Sequence, residues 1–269
     1  MTRTETSSSS ATAWTATDLR SNPHDTPDKA ERVRKMFAAI ARRYDLNNRL
    51  HSFGRDQAWR GKAVALCGIQ PTDDVLDCAC GTGDLTLAFA KAKPRSVVGL
   101  DFTAEMLEIA KQKSPLAPGS AGGSSVERHS FPFPTFIQGD AMNLPFADGS
   151  FDVVSIAWGI RNVADPSKAL REFRRVLRPG GRLCVLEFSE PRNRVMRSMN
   201  RLYCGRIMPW TATLIARDRS GAYRYLPRSV ENFPQPEAFA TMIEQAGFLR
   251  PTLHPLTFGV CTIYLARLA

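Results

Sequence analysis

The stretch Val75-Leu-Asp-Cys-Ala-Cys-Gly-Thr-Gly-Asp-Leu-Thr86 sets two glycines, Gly81 and Gly83, between an apolar run and a helix-like one. Absent side chains there let a ligand approach the backbone, and open parallel sheets take ligands at the carboxyl ends of their strands. Charge says which ligand. A dinucleotide pyrophosphate needs donors, no nearby anion and the third glycine of G-x-G-x-x-G. Here Thr86 holds that third position, and Asp77 and Asp84 flank the loop. Each carboxylate within a turn of a phosphate costs on the order of a kcal/mol or more in a partly buried site. S-adenosylmethionine carries an ammonium and a sulfonium and no phosphate. Asp77 suits its amino group, and Gly81, Thr82 and Gly83 suit close contact with its amino-acid end. Asp101 ends the next apolar run, where an acid can accept both ribose hydroxyls. Asp140, in Gln-Gly-Asp-Ala, can accept from an adenine amino group or close an Asx turn. Phe102, Ala141 and Ala157 complete the expected cofactor-binding set.

Elements that could position these residues follow from periodicity. Ala30–Arg43 reads as a helix with Val33, Phe37, Ile40 and Ala41 on one stripe, and Gln57–Leu66 as a second after a Tyr44–Asp56 connector. From Asp73 the period alternates. Strands are predicted at Val75–Cys78, Ser96–Leu100, Phe136–Gln138, Phe151–Ala157 and Arg182–Phe188. Helices are predicted at Asp84–Ala92, Ala104–Lys113 (capped by Thr103) and Ser167–Leu177. Such alternation predicts a parallel sheet covered on both faces. A last helix, Pro236–Ala246, ends at Gly247, and Leu249–Leu253 with Val260–Ala266 close the chain as a hairpin. The resulting organisation is a disordered tail over 1–29 and one α/β domain over 30–269. Within the domain lie a helical cap (30–70), a Pro/Gly-rich surface insertion (114–134) and a basic helical segment (192–228).

Composition narrows the function classes. No apolar run approaches the roughly 18 residues of a membrane span. The tail has no apolar core of a secretory signal, and its acids argue against a mitochondrial presequence. Six cysteines without export features favour reduced thiols in the cytoplasm, and Cys78-Ala-Cys80 with scattered histidines gives no metal site. The net charge is +10, and nine arginines against one acid, Asp218, fall between Arg192 and Arg228. They interleave with Val195, Met196, Met199, Leu202, Ile207 and Trp210, as on a helix lying on an anionic bilayer or one packed over the core. Nucleic acid is disfavoured, because Ala157-Trp-Gly-Ile-Arg-Asn162 stands where amine-directed nucleic-acid methyltransferases carry Asn/Asp-Pro-Pro-Tyr/Phe.

Four separated motifs resemble the UbiE/MenG quinone C-methyltransferases of ubiquinone and menaquinone biosynthesis. They are Tyr44-Asp-Leu-Asn-Asn-Arg-Leu-His-Ser-Phe-Gly54 with Trp59, Trp158-Gly-Ile-Arg-Asn-Val163, Arg175-Val-Leu-Arg-Pro-Gly-Gly181 through Ser189, and Tyr223-Arg-Tyr-Leu-Pro-Arg-Ser229. The resemblance implies a seven-stranded, mostly parallel, Rossmann-like class I methyltransferase sheet with an antiparallel C-terminal strand. It implies S-adenosyl-L-methionine as cofactor and a lipophilic isoprenoid quinol as acceptor. Demethylmenaquinol is the first expectation and a benzoquinol the second. A small-molecule O- or N-methyltransferase and a non-catalytic quinone-binding protein are the rivals. By motif position, Arg161 is expected to stabilise a quinol oxyanion, Asn162 to orient a ring oxygen and Tyr44 to close the pocket. Peripheral contact with the inner face of the plasma membrane, and a homodimer, are the further expectations. Asp56, Arg178 and Ala157 depart from the family's usual His, Lys and, in some relatives, Ser.

Overall fold

The computed structural model describes residues 12–15, 17–114, 133–216 and 220–268. The core of the domain is one sheet of seven strands in the order β3-β2-β1-β4-β5-β7-β6. Its strands are β1 (Asp74–Cys78), β2 (Ser96–Asp101), β3 (Thr135–Gln138), β4 (Phe151–Ala157), β5 (Leu177–Phe188), β6 (Thr252–Leu256) and β7 (Cys261–Arg267). Neighbours from β3 to β5 run parallel, and β7 is antiparallel to both β5 and β6. The central strands β1 and β4 are covered on both faces, which is why they read as continuous apolar runs. Because β1 lies between β2 and β4, the chain reverses direction across the sheet there, and a crevice opens at their carboxyl ends.

Strand alternation divides the core. Leu76, Leu100, Val154 and Val185 face α5 (Pro166–Val176) and α9 (Pro236–Gln245). Val75, Val97, Val153 and Leu186 face α2 (Arg55–Cys67) and α3 (Asp84–Lys91). A helix α4 (Ala104–Lys113) follows β2, and Asp165 caps α5 through the Lys168 amide at 3.0 Å. Thr103 makes no side-chain cap on α4. Its amide instead donates to Asp101 Oδ1 at 2.8 Å, so the turn is closed by the strand-end acid.

The helical cap differs from expectation. Helix α1 runs from Lys29 to His51, through most of the predicted connector. Neither Pro nor Gly interrupts it before Gly54, whose φ of 72° ends the turn that follows. Residues 12–15 and 17–28, expected within a disordered tail, pack instead against α1 and α8 (Ala222–Glu231), with Trp14 and Leu19 buried. The reason is a third apolar cluster, Trp14 with Val33, Met36, Ile40 and Tyr225, that the tail's polar composition concealed. Residues 1–11 and 115–132 lie outside the described residues, so most of the expected insertion is not placed. The basic segment forms α6 (Arg194–Leu202), a π-helical turn (203–207) and α7 (Met208–Ala216), and its last part enters α8. The penultimate strand begins at Thr252, after Pro251, three residues beyond the predicted Leu249.

Candidate active site

Two adjoining cavities open at the carboxyl edge of the sheet. The first is bounded by Gly81, Asp101, Phe102, Asp140, Ala141 and Ala157, which sit at successive strand ends, and by Tyr44 and Asn162. Gly81 has φ 56°, and a Cβ built on it meets nothing within 4 Å. That open space faces the cavity, and a ligand there touches bare backbone. Asp101 Oδ2 accepts from the Gly81 amide at 2.7 Å and fixes the loop, with burial raising its pKa. Asp140 Oδ1 accepts from the Met142 amide at 2.8 Å, so it closes an Asx turn while lining the cavity.

Three expected cofactor residues stand behind this wall. Asp77 is buried beneath the loop. Its register opposite Ser155 places Ser155 Oγ 2.7 Å from Oδ1, and Thr86 Oγ1 donates to Oδ2 at 2.6 Å. Burial pushes its pKa up to about 6 against those hydrogen bonds. It shares the face of Val75, toward α2 and α3, and holds the loop from below. Thr82 Oγ1 donates to Asp45 at 2.6 Å and ties the loop to α1. Gly83 serves packing: a Cβ there would meet Ala110 at 3.0 Å and Phe136 at 3.1 Å.

The second cavity, about 630 Å³, is walled by the end of α1, α2, the turn after β4, the α6–α7 segment and α8. Its residues include His51, Phe53, Trp59, Arg161, Phe188, Tyr203, Met208 and Tyr223. Tyr44 and Trp158 line both cavities and stand where they meet. Trp158 has φ 52°, stacks on Phe188 at 5.6 Å and carries the Arg60 guanidinium over its ring at 4.7 Å. Asn162 donates to the Trp158 carbonyl at 3.1 Å and accepts from Tyr225 Oη at 3.1 Å. Arg161 is 3% exposed and donates to Glu187 Oε1 at 2.5 Å, to the Trp158 carbonyl at 2.9 Å and to Ser229 Oγ at 3.2 Å. Its counter-ion is Glu187, while Asp165, four residues on, caps α5.

Sequence reasoning singled out neither Glu187 nor Trp158 as a site residue. The signal available for Trp158 was an aromatic directly before a glycine at a strand end. Gly159 is required there because a Cβ would lie 2.6 Å from that of Ala79. Two departures from the family pattern are satisfied locally. Asp56 pairs with Arg60 at 2.5 Å, and Arg178 pairs with Asp74 and Asp152. Among the described residues no cluster of ligating side chains suits a metal ion.

The sheet order, the glycine loop and the acids at successive strand ends define a class I S-adenosylmethionine-dependent methyltransferase. Residues 25–267 match the ubiE/COQ5 methyltransferase family, and the chain belongs to that family. A demethylmenaquinone methyltransferase of Thermus thermophilus is 48% identical over 232 residues, covering 86% of this chain and 98% of that protein. The ubiquinone/menaquinone biosynthesis C-methyltransferase UbiE of Geotalea daltonii is 41% identical, covering 88% of this chain and 96% of that protein. Among solved structures, a possible histamine N-methyltransferase from Thermotoga maritima shares the fold at TM-score 0.59 and 18% identity, covering 87% of this chain and 99% of that one. A magnesium protoporphyrin IX methyltransferase from Synechocystis with bound SAH shares it at TM-score 0.53 and 20% identity, over 80% of this chain and 84% of that one.

Proposed function

We propose that the chain methylates a ring carbon of an isoprenoid quinol, demethylmenaquinol first and a benzoquinol second. The observation that carries this is the junction of the cavities at Tyr44 and Trp158: a loop-lined cavity meets a larger one whose lining surface is mostly apolar, although arginines, asparagines and acids stand among its aromatic rings. The names of the relatives agree with it. When bound at Gly81, Asp101 and Asp140, S-adenosylmethionine supplies an electrophilic methyl group. The chain's own task is to hold an electron-rich carbon in line with it, which is where positioning contributes most. Overall, the ring carbon–methyl bond would replace the sulfur–methyl bond, S-adenosylhomocysteine would leave with the bonding electron pair, and the ring C–H proton would be lost, so each turnover releases one proton. A phenolic hydroxyl titrates near ~10, and the site must help it ionise.

Arg161 lines the acceptor cavity, and its guanidinium carries donors and no acceptor, so it stabilises the oxyanion but cannot take the proton. Behind it, Glu187 Oε2 is buried without a partner among the described residues, and burial raises its pKa. Glu187 is the group of this pair that can accept. Asn162, fixed by Trp158 and Tyr225, orients the ring oxygen, and Tyr44 separates acceptor from cofactor.

The face around the acceptor cavity suits an anionic bilayer. It exposes Val195, Met199 and Leu202 on α6, Trp210 (71% exposed) on α7 and Phe53 (78%) after α1. Arg194 and Arg206 are exposed on the same segment. No helix among those residues is long and apolar enough to cross a membrane. Such a face fits peripheral contact, with the isoprenoid tail left in the lipid. Sedimentation with anionic vesicles, weakened by salt and absent with neutral ones, is the expected result. Salt-independent sedimentation, or a concentration-dependent homodimer in place of lipid binding, counts against it.

The test of the reaction uses methyl-labelled S-adenosylmethionine and demethylmenaquinol in liposomes, reduced and oxidised in parallel. Label on ring carbon in the reduced sample alone is expected. Label on oxygen, or transfer only to a soluble acceptor, overturns the reading.

A further inference from the structure

Helix α8 supplies three contacts to the crevice: Tyr223 Oη accepts from Asn47 at 2.6 Å and Ser229 Oγ accepts from Arg161, both on the acceptor cavity, and Tyr225 Oη donates at 3.1 Å to Asn162, which borders the first cavity. By itself α8 is poorly equipped to hold them in place. It has ten residues with Pro227 inside, so it is short for a stable helix and lacks one backbone donor. Its other side is held by the segment before α1. Trp14 is fully buried and stacks on Tyr225, ring centroids 4.5 Å apart at 22°. The Trp14 amide donates to the Ser220 carbonyl at 2.9 Å, and its own carbonyl lies so close to Gly221 that no Cβ fits there. Further along, the Leu19 carbonyl accepts from Arg228 at 3.2 Å, and His24 Nε2 meets the Ser229 carbonyl at 2.8 Å.

Three points on the segment therefore grip one helix, Trp14 at its start and at Tyr225, and Leu19 and His24 at the adjacent Arg228 and Ser229 in its second half. The Trp14 ring sits directly on the side chain whose hydroxyl fixes Asn162. Residues 12–15 and 17–24 precede the part of the chain matched to the family. We infer that residues 12–15 and 17–25 are a strap that sets the position of α8, with Trp14 a positioning residue that acts through Tyr225 on Asn162. The Trp14 indole N–H is buried without a partner among the described residues, and the ring is held by its stack on Tyr225 and by the Arg32 guanidinium 5.5 Å from its centroid.

The consequence for turnover rests on the acceptor-site reading above; the consequence for α8 does not. The full chain is compared with Trp14→Ala, Trp14→Phe, Tyr225→Phe and the Trp14→Ala/Tyr225→Phe double variant, by amide hydrogen exchange, cofactor binding and steady-state kinetics. In Trp14→Ala, amides of 222–231 are expected to exchange about ten-fold faster while β4 and β5 keep their wild-type rates. Turnover is expected to fall about ten-fold and cofactor affinity by less, because a small misplacement of an orienting group is costly. Trp14→Phe restores most of both. Tyr225→Phe, which keeps the stack and loses only the hydroxyl, is expected to be non-additive with Trp14→Ala. Unchanged exchange in α8, equal acceleration in β4 and β5, or strict additivity would overturn the strap. A wild-type chain that transfers no methyl to any quinol overturns the acceptor reading instead, and leaves the exchange result to decide the strap.

Discussion

The cofactor half and the acceptor half of the crevice are built in opposite ways. The cofactor half is made of turns that follow consecutive strands, and its chief contacts are backbone ones: bare space at Gly81, the Gly81 amide on Asp101, the Met142 amide on Asp140. The acceptor half is made of side chains from α1, α2, the turn after β4 and α8. It is held by pairs far apart in sequence, such as Arg161 with Glu187 and Asn47 with Tyr223. A site of backbone turns tolerates changes of side chain nearby and fails when a glycine is filled. A site of crossed side chains fails when either member of a buried pair is removed. The two halves can be separated experimentally on that basis.

The largest effect belongs to the acceptor half. Arg161→Ala leaves Glu187 as a buried, uncompensated carboxylate, a loss on the order of 3–5 kcal/mol for such pairs. Thermal unfolding should show a drop of many degrees, and methyl transfer should fall steeply. Cofactor affinity of the folded fraction should stay near wild type, because no atom of Arg161 borders the cofactor cavity. Isothermal titration below the lowered melting point checks this, and an equal loss of cofactor binding would contradict the division into halves.

Next comes a contrast inside the cofactor half. Gly81→Val places a branched side chain into the open space at φ 56°. Cofactor affinity should fall about a hundred-fold or more, through lost volume and backbone strain. Gly83→Val drives instead into Ala110 and Phe136, so unfolding should move first, with cofactor loss following from it. Paired melting and binding curves distinguish the two. Similar profiles for both variants would mean that the glycines share one role.

The same division explains what could be read from the sequence. The placement of Gly81, Asp101 and Asp140 on strand-end turns was legible because such a turn is local: residue type, spacing and the preceding apolar run determine where it lies. Asp77 was legible as a special residue but not in its placement, since alternation along β1 turns it beneath the loop, and only the register with β4 brings Ser155 to it. Tyr44, Arg161 and Asn162 drew attention through family resemblance, yet nothing local announced Glu187 as the partner of Arg161. The extension of α1 through Tyr44–His51 escaped because polar residues on its far face obscured the stripe. Trp14 escaped for a thermodynamic reason: one aromatic in a Ser/Thr-rich tail gives no period, and its burial needs the cluster on α1 and α8 already formed.

The smallest effect tests how α1 is joined to the acceptor half. Lys29, at the start of α1, is buried, and its ammonium donates to the Val163 carbonyl at 2.6 Å, just past Asn162. Burial, reinforced by the positive charge of Arg161, lowers its pKa to about 8. The unfolded chain keeps that proton to about 10.4. Between those values the unfolded state binds more protons, so raising the pH through the window favours the folded state. Below the folded value the molecule bears the cost of a buried charge; above the unfolded value that cost is gone. The gain attributable to Lys29 is on the order of 2 kcal/mol. It is read as the difference in melting temperature between wild type and Lys29→Met at pH 7.5 and pH 9.5. That difference should shift in favour of wild type as the pH rises. A constant difference would mean that Lys29 keeps an ordinary pKa and that α1 meets the turn after β4 more loosely than its hydrogen bond to Val163 implies.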